Sequence, residues 1–293
     1  MPQILYPPAR AQTVGEVLKT GGQIYRLSLR ATLPYGAIVA VCGDLANLRN
    51  VVVGLPVQSF DSTDPIWWAW NVAGSILALL FGSAMFVRQK TLAAGEPVSV
   101  AGEMRLAGVL LSRLIACVAL STVAVSFALV PVALALPGTG LDPTLRNLDS
   151  VNVGMLLLLI PLSLPAAWLS LGLLFAPPAL LLQKLGPVAA MRASFRLLRG
   201  SWWRASVLTT AILAVLIMMV LLVATMASAA VLLAGVSDLK DMTRLVLPLG
   251  IVCGAILLPW CSAQLLAMMG DLLVRQLQAR AGTGGSSAGP GLK

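Results

Sequence analysis

The sequence contains no histidine, and this absence limits the chemistry that the chain can perform. A Ser-His-Asp triad, a histidine general base and a histidine-ligated metal are all excluded. The four cysteines lie singly in apolar stretches, so no Cys-x-x-Cys pair is present for thiol redox chemistry or a zinc site. We therefore expect no metal, no cofactor and no enzymatic activity from this chain.

Charged residues are also scarce, and this excludes a soluble globular protein. They make up 11% of the chain, whereas an average soluble domain has about 25%. Hydrophobic residues reach 58% and the mean hydropathy is +0.92. Such a chain cannot cover a water-facing surface, so we predict an all-α integral membrane protein.

Long apolar runs predict six transmembrane helices. Five runs without charged residues each reach the roughly 20 residues that cross a bilayer, and a sixth is interrupted by Asp44. The predicted spans are 31–50, 66–88, 108–136, 153–176, 204–235 and 245–270. Together they form one membrane domain, residues 1–281, and the Gly/Ser-rich residues 282–293 are expected to be a disordered tail.

The distribution of basic residues predicts the orientation of the chain. With six spans, most of the 20 Lys and Arg residues fall on one side, together with both termini and the two long loops. The positive-inside rule places that side in the cytoplasm. Residues 1–30 are polar, with charges spread through them, and do not resemble a secretory signal. We expect a bacterial cytoplasmic or inner membrane protein with both termini cytoplasmic.

The spans fall into a repeated pattern. Segments with the sequence features of amphipathic helices begin near residues 13, 99 and 187, at intervals of about 87 residues, and each precedes an odd-numbered span. The first opens with the capping-box sequence Thr13-Val14-Gly15-Glu16. We therefore predict three parallel units, each a cytoplasmic amphipathic helix followed by a two-span hairpin. Parallel repeats of this kind occur in transporters, but they also build bundles without transport.

The third amphipathic segment, residues 187–199, carries the clearest candidate surface. Its apolar residues Val188, Met191, Phe195 and Leu198 share one helical face. Its basic residues share another face, and a pair of tryptophans and a further arginine follow the helix. The predicted anionic-lipid or partner contacts are Arg192, Arg196, Arg199, Trp202, Trp203 and Arg204. We expect a helix in the membrane interface with guanidinium groups among lipid headgroups; alternatively, the arginines only enforce orientation.

Residues 186–204 carry a family resemblance. They read Gly-Pro-Val-Ala-Ala-Met-Arg-Ala-Ser-Phe-Arg-Leu-Leu-Arg-Gly-Ser-Trp-Trp-Arg, which resembles the hallmark of the glycerophosphoryl diester phosphodiesterase membrane-domain family and its uncharacterised bacterial six-span relatives. Residues 13–16 and 271–275 resemble the first and last segments of that family. The resemblance implies a six-span membrane domain of unknown activity, because the phosphodiesterase of the family resides in a separate soluble domain.

Two further features inside the predicted spans are candidate sites. Asp44 is the only acid within a predicted span, and it is either an intramembrane polar site or an interfacial residue that pairs with Arg49. Pro177 and Pro178 fall in an apolar run too long for one straight span, so we expect them to break the helix. Broken helices mark binding sites in some transporters, but a proline pair also simply turns a chain.

Three functions remain open from the sequence. The first is a non-enzymatic membrane protein that organises anionic lipids or partner proteins through its basic cytoplasmic surface. The protein partner would be another membrane protein or further copies of this chain in a homo-oligomer. The second is a transporter or channel subunit, for which the few polar residues within the spans include Ser121, Thr122 and Ser126. The third is an intramembrane enzyme, for which no paired carboxylates are visible. Nucleic acid is not an expected partner. A cavity at Asp44 or at Pro177 would favour the second function.

Overall fold

The structure is a computed structural model that describes residues 4–55, 63–97, 99–136, 153–233 and 239–284. The regular secondary structure of these described residues is helical. The helices, in chain order, are α1 Val14–Gly43, α2 Leu45–Val52, α3 Pro65–Ala93, α4 Val100–Ala135, α5 Val153–Leu173, α6 Ala176–Gln183, α7 Pro187–Leu198, α8 Trp202–Leu233 and α9 Leu239–Gly284. The predicted all-α class is therefore confirmed for the described residues.

Five helical stretches of the described chain are long and apolar enough to cross a membrane. They are 65–93, 100–135, 157–183, 202–226 and 247–281. The bent pair α1 and α2 would make a sixth span if the two helices cross together. Length and composition thus agree with residence in a membrane and with five or six crossings. Helix α9 ends at Gly284, so residues 282–284 of the predicted tail are helical, and the rest of that tail lies outside the described residues.

The first predicted span is not one straight helix. The axes of α1 and α2 differ by 66°, and Asp44 is the residue between them. We had predicted that Asp44 lies inside a continuous helix. It lies instead at the bend between α1 and α2. Aspartate favours helix ends because its short polar side chain competes with the helical hydrogen bonds. We had predicted that Arg49 pairs with Asp44, but Arg49 lies 3.8 Å from the carboxylate of Asp64.

The three amphipathic segments do not all form separate helices. The capping box of α1 is confirmed, since the Thr13 N–H donates to Glu16 Oε2 at 2.6 Å and the Glu16 N–H donates to Thr13 Oγ1 at 3.3 Å. Two hydrogen bonds with Thr13 hold the pKa of Glu16 below its usual value. The bond with the Thr13 backbone has the larger effect, and the bond with the Thr13 side chain has the smaller one. Helices α1 and α4 then continue without a break into their apolar parts. Only the third segment is a helix of its own, α7.

The chain divides into two compact units, residues 1–111 with 200–293 and residues 112–199. In the first unit α1 packs along α9 and α3. Small residues permit the close approach: a Cβ on Gly36 would lie 2.5 Å from the Ala255 carbonyl oxygen and 2.8 Å from the Pro259 ring. Because Pro259 has no N–H, the Ala255 carbonyl loses its helical donor, and α1 lies against this interruption of α9.

The first unit also buries polar side chains between its helices. Arg88 of α3 and Glu103 of α4 form an ion pair of 3.0 Å, and Glu103 is 4% exposed. The buried Gln89 amide donates to the Pro259 carbonyl at 2.7 Å, which joins α3 to α9. Next to the ion pair, Tyr35, Ala84, Met85 and Ala107 form a hydrophobic cluster. Paired polar groups and apolar packing thus fix the same helices.

In the second unit, helices α5, α6 and α7 pack around the predicted proline break. Helix α5 ends at Leu173 and α6 begins at Ala176, so Pro177 and Pro178 occupy the first turn of α6. Proline suits this position because the first N–H groups of a helix have no helical acceptor. The chain interruption therefore lies just before the proline pair. Helix α7 packs on both α5 and α6.

Candidate functional site

The segment before α1 is held against the end of α3 and against α9 near Gly270. The N–H groups of Leu5 and Tyr6 donate to the Ala93 carbonyl at 2.8 and 3.2 Å. The Tyr6 ring is buried, and a Cβ on Gly270 would lie 3.1 Å from it. Burial raises the pKa of Tyr6 to about 12. This arrangement brings the following residues, up to Gln12, to a buried carboxylate of α9.

That carboxylate belongs to Asp271, which is fully buried and accepts three hydrogen bonds. The donors are the Gln12 N–H at 2.7 Å, Arg204 Nε at 2.9 Å and Arg275 Nε at 3.1 Å. Both guanidinium groups also donate to the Gln12 carbonyl, Arg275 at 2.7 Å and Arg204 at a shorter distance. We call these four residues the Asp271 cluster. It joins the N-terminal segment to α8 and α9 through charge-assisted hydrogen bonds.

The Asp271 cluster adjoins a basic hollow at the start of α8. The hollow has a volume of about 450 Å³ and is lined by Gly200, Ser201, Trp202, Trp203, Arg204 and Arg275. Two guanidinium groups face one carboxylate in the cluster, so one positive charge is left over. The positive end of the α8 helix dipole points to the same place. Trp203 is 83% exposed beside it.

The hollow brings together three of the six predicted contact residues and changes the interpretation of one. Trp202 and Trp203 line it as candidates for interfacial contact. Arg204, which we had predicted to lie among headgroups, instead donates to the buried Asp271 and keeps only 19% of its side chain exposed. The buried carboxylate draws the guanidinium inward because an uncompensated charge there would be costly.

The other three predicted contacts, Arg192, Arg196 and Arg199, are exposed on α7 and at its C-cap. The buried face of α7 is on the opposite side and consists of Ala190, Ser194, Leu197 and Leu198. Of our predicted apolar face, Val188 is 51% exposed and Leu198 is buried, and contact of this face with the membrane stays a prediction. Helix α7 packs on α5 and α6 within its unit.

Ser194 lies at the helix break of the second unit and bonds to its backbone on both sides. Its hydroxyl donates to the Gly172 carbonyl at 2.6 Å and accepts from the Phe175 N–H at 3.2 Å. Gly172 allows this approach, because the Phe195 ring occupies the space where its side chain would lie. The break is thus stabilised by a buried serine, and Phe195 lies against Trp168 with ring centroids 5.4 Å apart.

We expect Ser194→Ala to lower the free energy of unfolding by about 1–2 kcal/mol, because a buried N–H and a buried carbonyl lose their partner. Ser163→Ala on α5 is the control, since the Ser163 hydroxyl is exposed and bonds only to the Ile160 carbonyl of its own helix. Unfolding of the purified protein in mixed micelles measures both. Equal loss in the two variants would show that Ser194 does not stabilise the break.

A groove lies between α4 and α5 beside the same break. Its volume is about 400 Å³. It is lined by residues of α4, of the end of α5, of the break and of the start of α6: Val118, Ser121, Thr122, Val125, Ser126, Ser170, Leu173, Leu174 and Pro177. The hydroxyl residues that the sequence marked as candidates therefore meet the predicted break. The Oγ of Ser121 is buried beside the thiol of Cys117, one turn earlier on α4.

The last candidate from the sequence is Asp44. Asp44 makes no side-chain hydrogen bond as a cap of α2. Among the described residues, no group of three or more His, Cys, Asp or Glu could hold a metal ion. The sequence interpretation did not single out Asp271, Arg275 or Gln12 as site residues. An aspartate followed by an arginine four residues later in an otherwise apolar stretch is the signal that could have indicated Asp271 and Arg275. No local signal indicates Gln12.

No protein-family model, curated protein sequence or solved structure matches this chain.

Proposed function

We propose that this chain is a non-enzymatic multi-pass membrane protein that binds anionic phospholipid headgroups at the basic hollow. The observation that carries the proposal is the convergence of Arg204, Arg275 and the first turn of α8 on one cavity. Phosphate is favoured there because guanidinium groups and the positive end of a helix dipole both attract anions. The proposal includes residence in a bacterial cytoplasmic or inner membrane and a relation to the phosphodiesterase membrane-domain family, which residues 186–204 resemble.

The local charges support a site for an anion. Arg204 and Arg275 share a single carboxylate, so the Asp271 cluster keeps one positive charge. Arg275 is 34% exposed and lines the hollow, so its guanidinium is within reach of a ligand. Trp203 supplies an exposed aromatic surface of the kind that lies at the headgroup level of membranes. A phosphate with an attached apolar chain matches this combination of groups.

The basic side of α7 provides a second, independent attraction for the same lipids. Arg192, Arg196 and Arg199 are exposed, and each cation near an anionic surface contributes about 1 kcal/mol. Replacing all three by glutamine is expected to leave the protein in the membrane, because six apolar crossings contribute far more than three surface charges. Co-purified anionic lipid would decrease. The same bound lipid in the triple variant would mean that these arginines only set topology.

The test of the hollow is lipid retention by Arg275→Gln. We expect about fivefold less phosphatidylglycerol bound than in the wild type, because the hollow loses one cation worth about 1 kcal/mol. Native mass spectrometry of protein extracted from vesicles with equal phosphatidylglycerol and phosphatidylcholine measures the bound lipid. Arg280→Gln is the matched control, since it removes one cation from the same helix outside the hollow.

Two outcomes would contradict the proposal. One is the same decrease in Arg275→Gln and Arg280→Gln, which would reflect net charge and not a site. The other is an unchanged phosphatidylglycerol signal in Arg275→Gln while circular dichroism shows a folded protein.

The proposal includes a topology with both termini in the cytoplasm. Reporter fusions after Ala94 and Arg280 are expected to report the cytoplasmic side, and a fusion after Arg146 the external side. The expectation follows from the excess of basic residues in the segments that would be cytoplasmic. A dual alkaline phosphatase and fluorescent protein assay distinguishes the sides. A cytoplasmic signal after Arg146 would contradict six crossings in this orientation.

A transporter or channel subunit is the second candidate function, and the groove favours it. The groove lies at the break that ends α5, and it gathers hydroxyl groups from two helices. In transporters, interrupted helices present backbone carbonyls and helix ends to the transported solute. The three-unit repeat predicted from the sequence would belong to this function. Uptake of a solute into vesicles that contain the purified protein is the corresponding measurement.

A further inference from the structure

The N-terminal segment, residues 4–13, sets the direction of both guanidinium groups at the basic hollow. Arg204 and Arg275 each donate through Nε to the same oxygen of Asp271, Oδ2. Both also donate through Nη2 to the Gln12 carbonyl. One edge of each guanidinium group is therefore held between a carboxylate oxygen and a backbone carbonyl of the N-terminal segment.

The remaining donors of the two guanidinium groups are available to a ligand. A guanidinium group has five N–H donors in one plane, and the bonds to Asp271 and Gln12 use only two of them on each side chain. In the described part of the chain, neither group has another protein acceptor. Both side chains line the hollow. A phosphate can therefore bind them there without displacing the Gln12 carbonyl.

The N-terminal segment is anchored by contacts outside the hollow. The Tyr6 N–H donates to the Ala93 carbonyl at the end of α3, and the Tyr6 ring is buried. A Cβ on Gly270 of α9 would lie 3.0 Å from the Pro8 ring and 3.1 Å from the Tyr6 ring, so the segment lies directly on α9. None of these residues lines the hollow. The position of Gln12 thus depends on anchors that are separate from the ligand site.

The charges of the cluster connect the segment to the ligand. When the segment is docked, Arg204 and Arg275 share two acceptor atoms, so their like charges are held close together. Such charges repel each other, and the single carboxylate of Asp271 balances only one of them. A phosphate in the hollow would balance the second. The phosphate should therefore favour the docked segment, and the docked segment should favour the phosphate.

We propose that docking of the N-terminal segment and binding of an anionic phospholipid at the basic hollow are coupled, so that each strengthens the other. Gln12 and Tyr6 are positioning residues: the Gln12 carbonyl directs both guanidinium groups, and the Tyr6 ring keeps Gln12 in place. The coupling is reciprocal, since the factor by which lipid opposes release of the segment equals the factor by which release weakens lipid binding. This inference rests on the proposed function and adds its regulation.

Trypsin cleavage after Arg10 measures release of the segment. The Arg10 side chain is 77% exposed, and cleavage follows the released population when release and docking are fast. The full-length protein is compared in nanodiscs of phosphatidylcholine alone and of equal phosphatidylcholine and phosphatidylglycerol. We expect phosphatidylglycerol to slow cleavage of the wild type about fivefold, the lower end of typical couplings between sites. Arg275→Gln should be cleaved equally in both, which controls for the effect of surface charge on the protease.

Lipid retention in native mass spectrometry measures the coupling from the other side. Tyr6→Ala removes an anchor and should retain about fivefold less phosphatidylglycerol, although no residue of the hollow changes. Ile4→Ala is the matched control, since Ile4 is 67% exposed on the same segment. Gly270→Ala repeats the test in case Tyr6→Ala does not fold, because its methyl group would press on Pro8 and Tyr6. Its control is Gly250→Ala, whose methyl group meets nothing within 4 Å.

Three results would overturn the coupling. The first is equal cleavage of the wild type with and without phosphatidylglycerol. The second is faster cleavage with phosphatidylglycerol, which would mean that the lipid displaces the Gln12 carbonyl. The third is retention of phosphatidylglycerol at the wild-type level in folded Tyr6→Ala or Gly270→Ala. The proposed function fails separately, if the wild type retains no more phosphatidylglycerol than Arg275→Gln does.

Discussion

The variant Asp271→Asn is expected to lose about 3 kcal/mol of unfolding free energy. Removing one partner of a buried ion pair costs about 3–5 kcal/mol, because the other charge is left uncompensated. We expect the lower end of this range, since Arg204 and Arg275 keep 19% and 34% of their side chains exposed. The N-terminal segment would loosen too. The neutral asparagine amide would replace the charged carboxylate that accepts from Arg204, Arg275 and the Gln12 N–H, so these hydrogen bonds would weaken.

Reversible unfolding in mixed micelles measures the loss, and limited proteolysis measures the release of residues before α1. Glu96→Gln is the matched control, because it makes the same acid-to-amide change in the exposed ion pair with Lys90. An exposed pair of this kind contributes less than about 1 kcal/mol. If Asp271→Asn were no less stable than Glu96→Gln, the Asp271 cluster would not hold this unit together.

The second large effect is expected for Gly36→Ala. The new methyl group would lie 2.5 Å from the Ala255 carbonyl oxygen, which is a backbone atom and cannot turn away. Helices α1 and α9 must then separate, and overpacking of this kind costs about 1–3 kcal/mol. We expect about 2–3 kcal/mol, because the adjacent Pro259 ring stiffens the same part of α9.

Gly22→Ala on the same helix is the control for Gly36→Ala. A Cβ on Gly22 meets nothing within 4 Å, so this variant should gain up to about 1 kcal/mol from the higher helix propensity of alanine. Thermal unfolding of both variants in the same detergent gives the comparison. Equal stabilities would contradict the close contact between α1 and α9.

Local signals in the sequence predicted the helices well. Apolar runs predicted the long helices, and the Thr13–Glu16 capping box and Pro187 marked helix starts that the structure confirms. These signals act over one or two helical turns, so they can be identified without tertiary contacts. The break near Pro177 was predictable for the same reason, because proline lacks an N–H wherever the chain folds.

Features that depend on residues far apart in sequence were not predictable. The Asp271 cluster joins Gln12 to Arg204 and Arg275, and no local pattern connects these positions. The inward position of Arg204 follows from this one buried acid. Similarly, α7 packs through a face that includes Ala190, Ser194 and Leu197, and its partner helices determine that this face is buried. Periodicity shows that a helix has two faces but not which helix covers one of them.

Photo-crosslinking from position 203 is the most direct test of the central claim, that the basic hollow binds anionic phospholipid. A photoreactive phenylalanine derivative replaces Trp203, which lines the hollow and is exposed, in vesicles with equal phosphatidylglycerol and phosphatidylcholine. We predict that phosphatidylglycerol dominates the crosslinked lipid and that adding Arg275→Gln returns the products toward the composition of the vesicles. Crosslinks that match the vesicle composition while Arg275 is intact would contradict the claim.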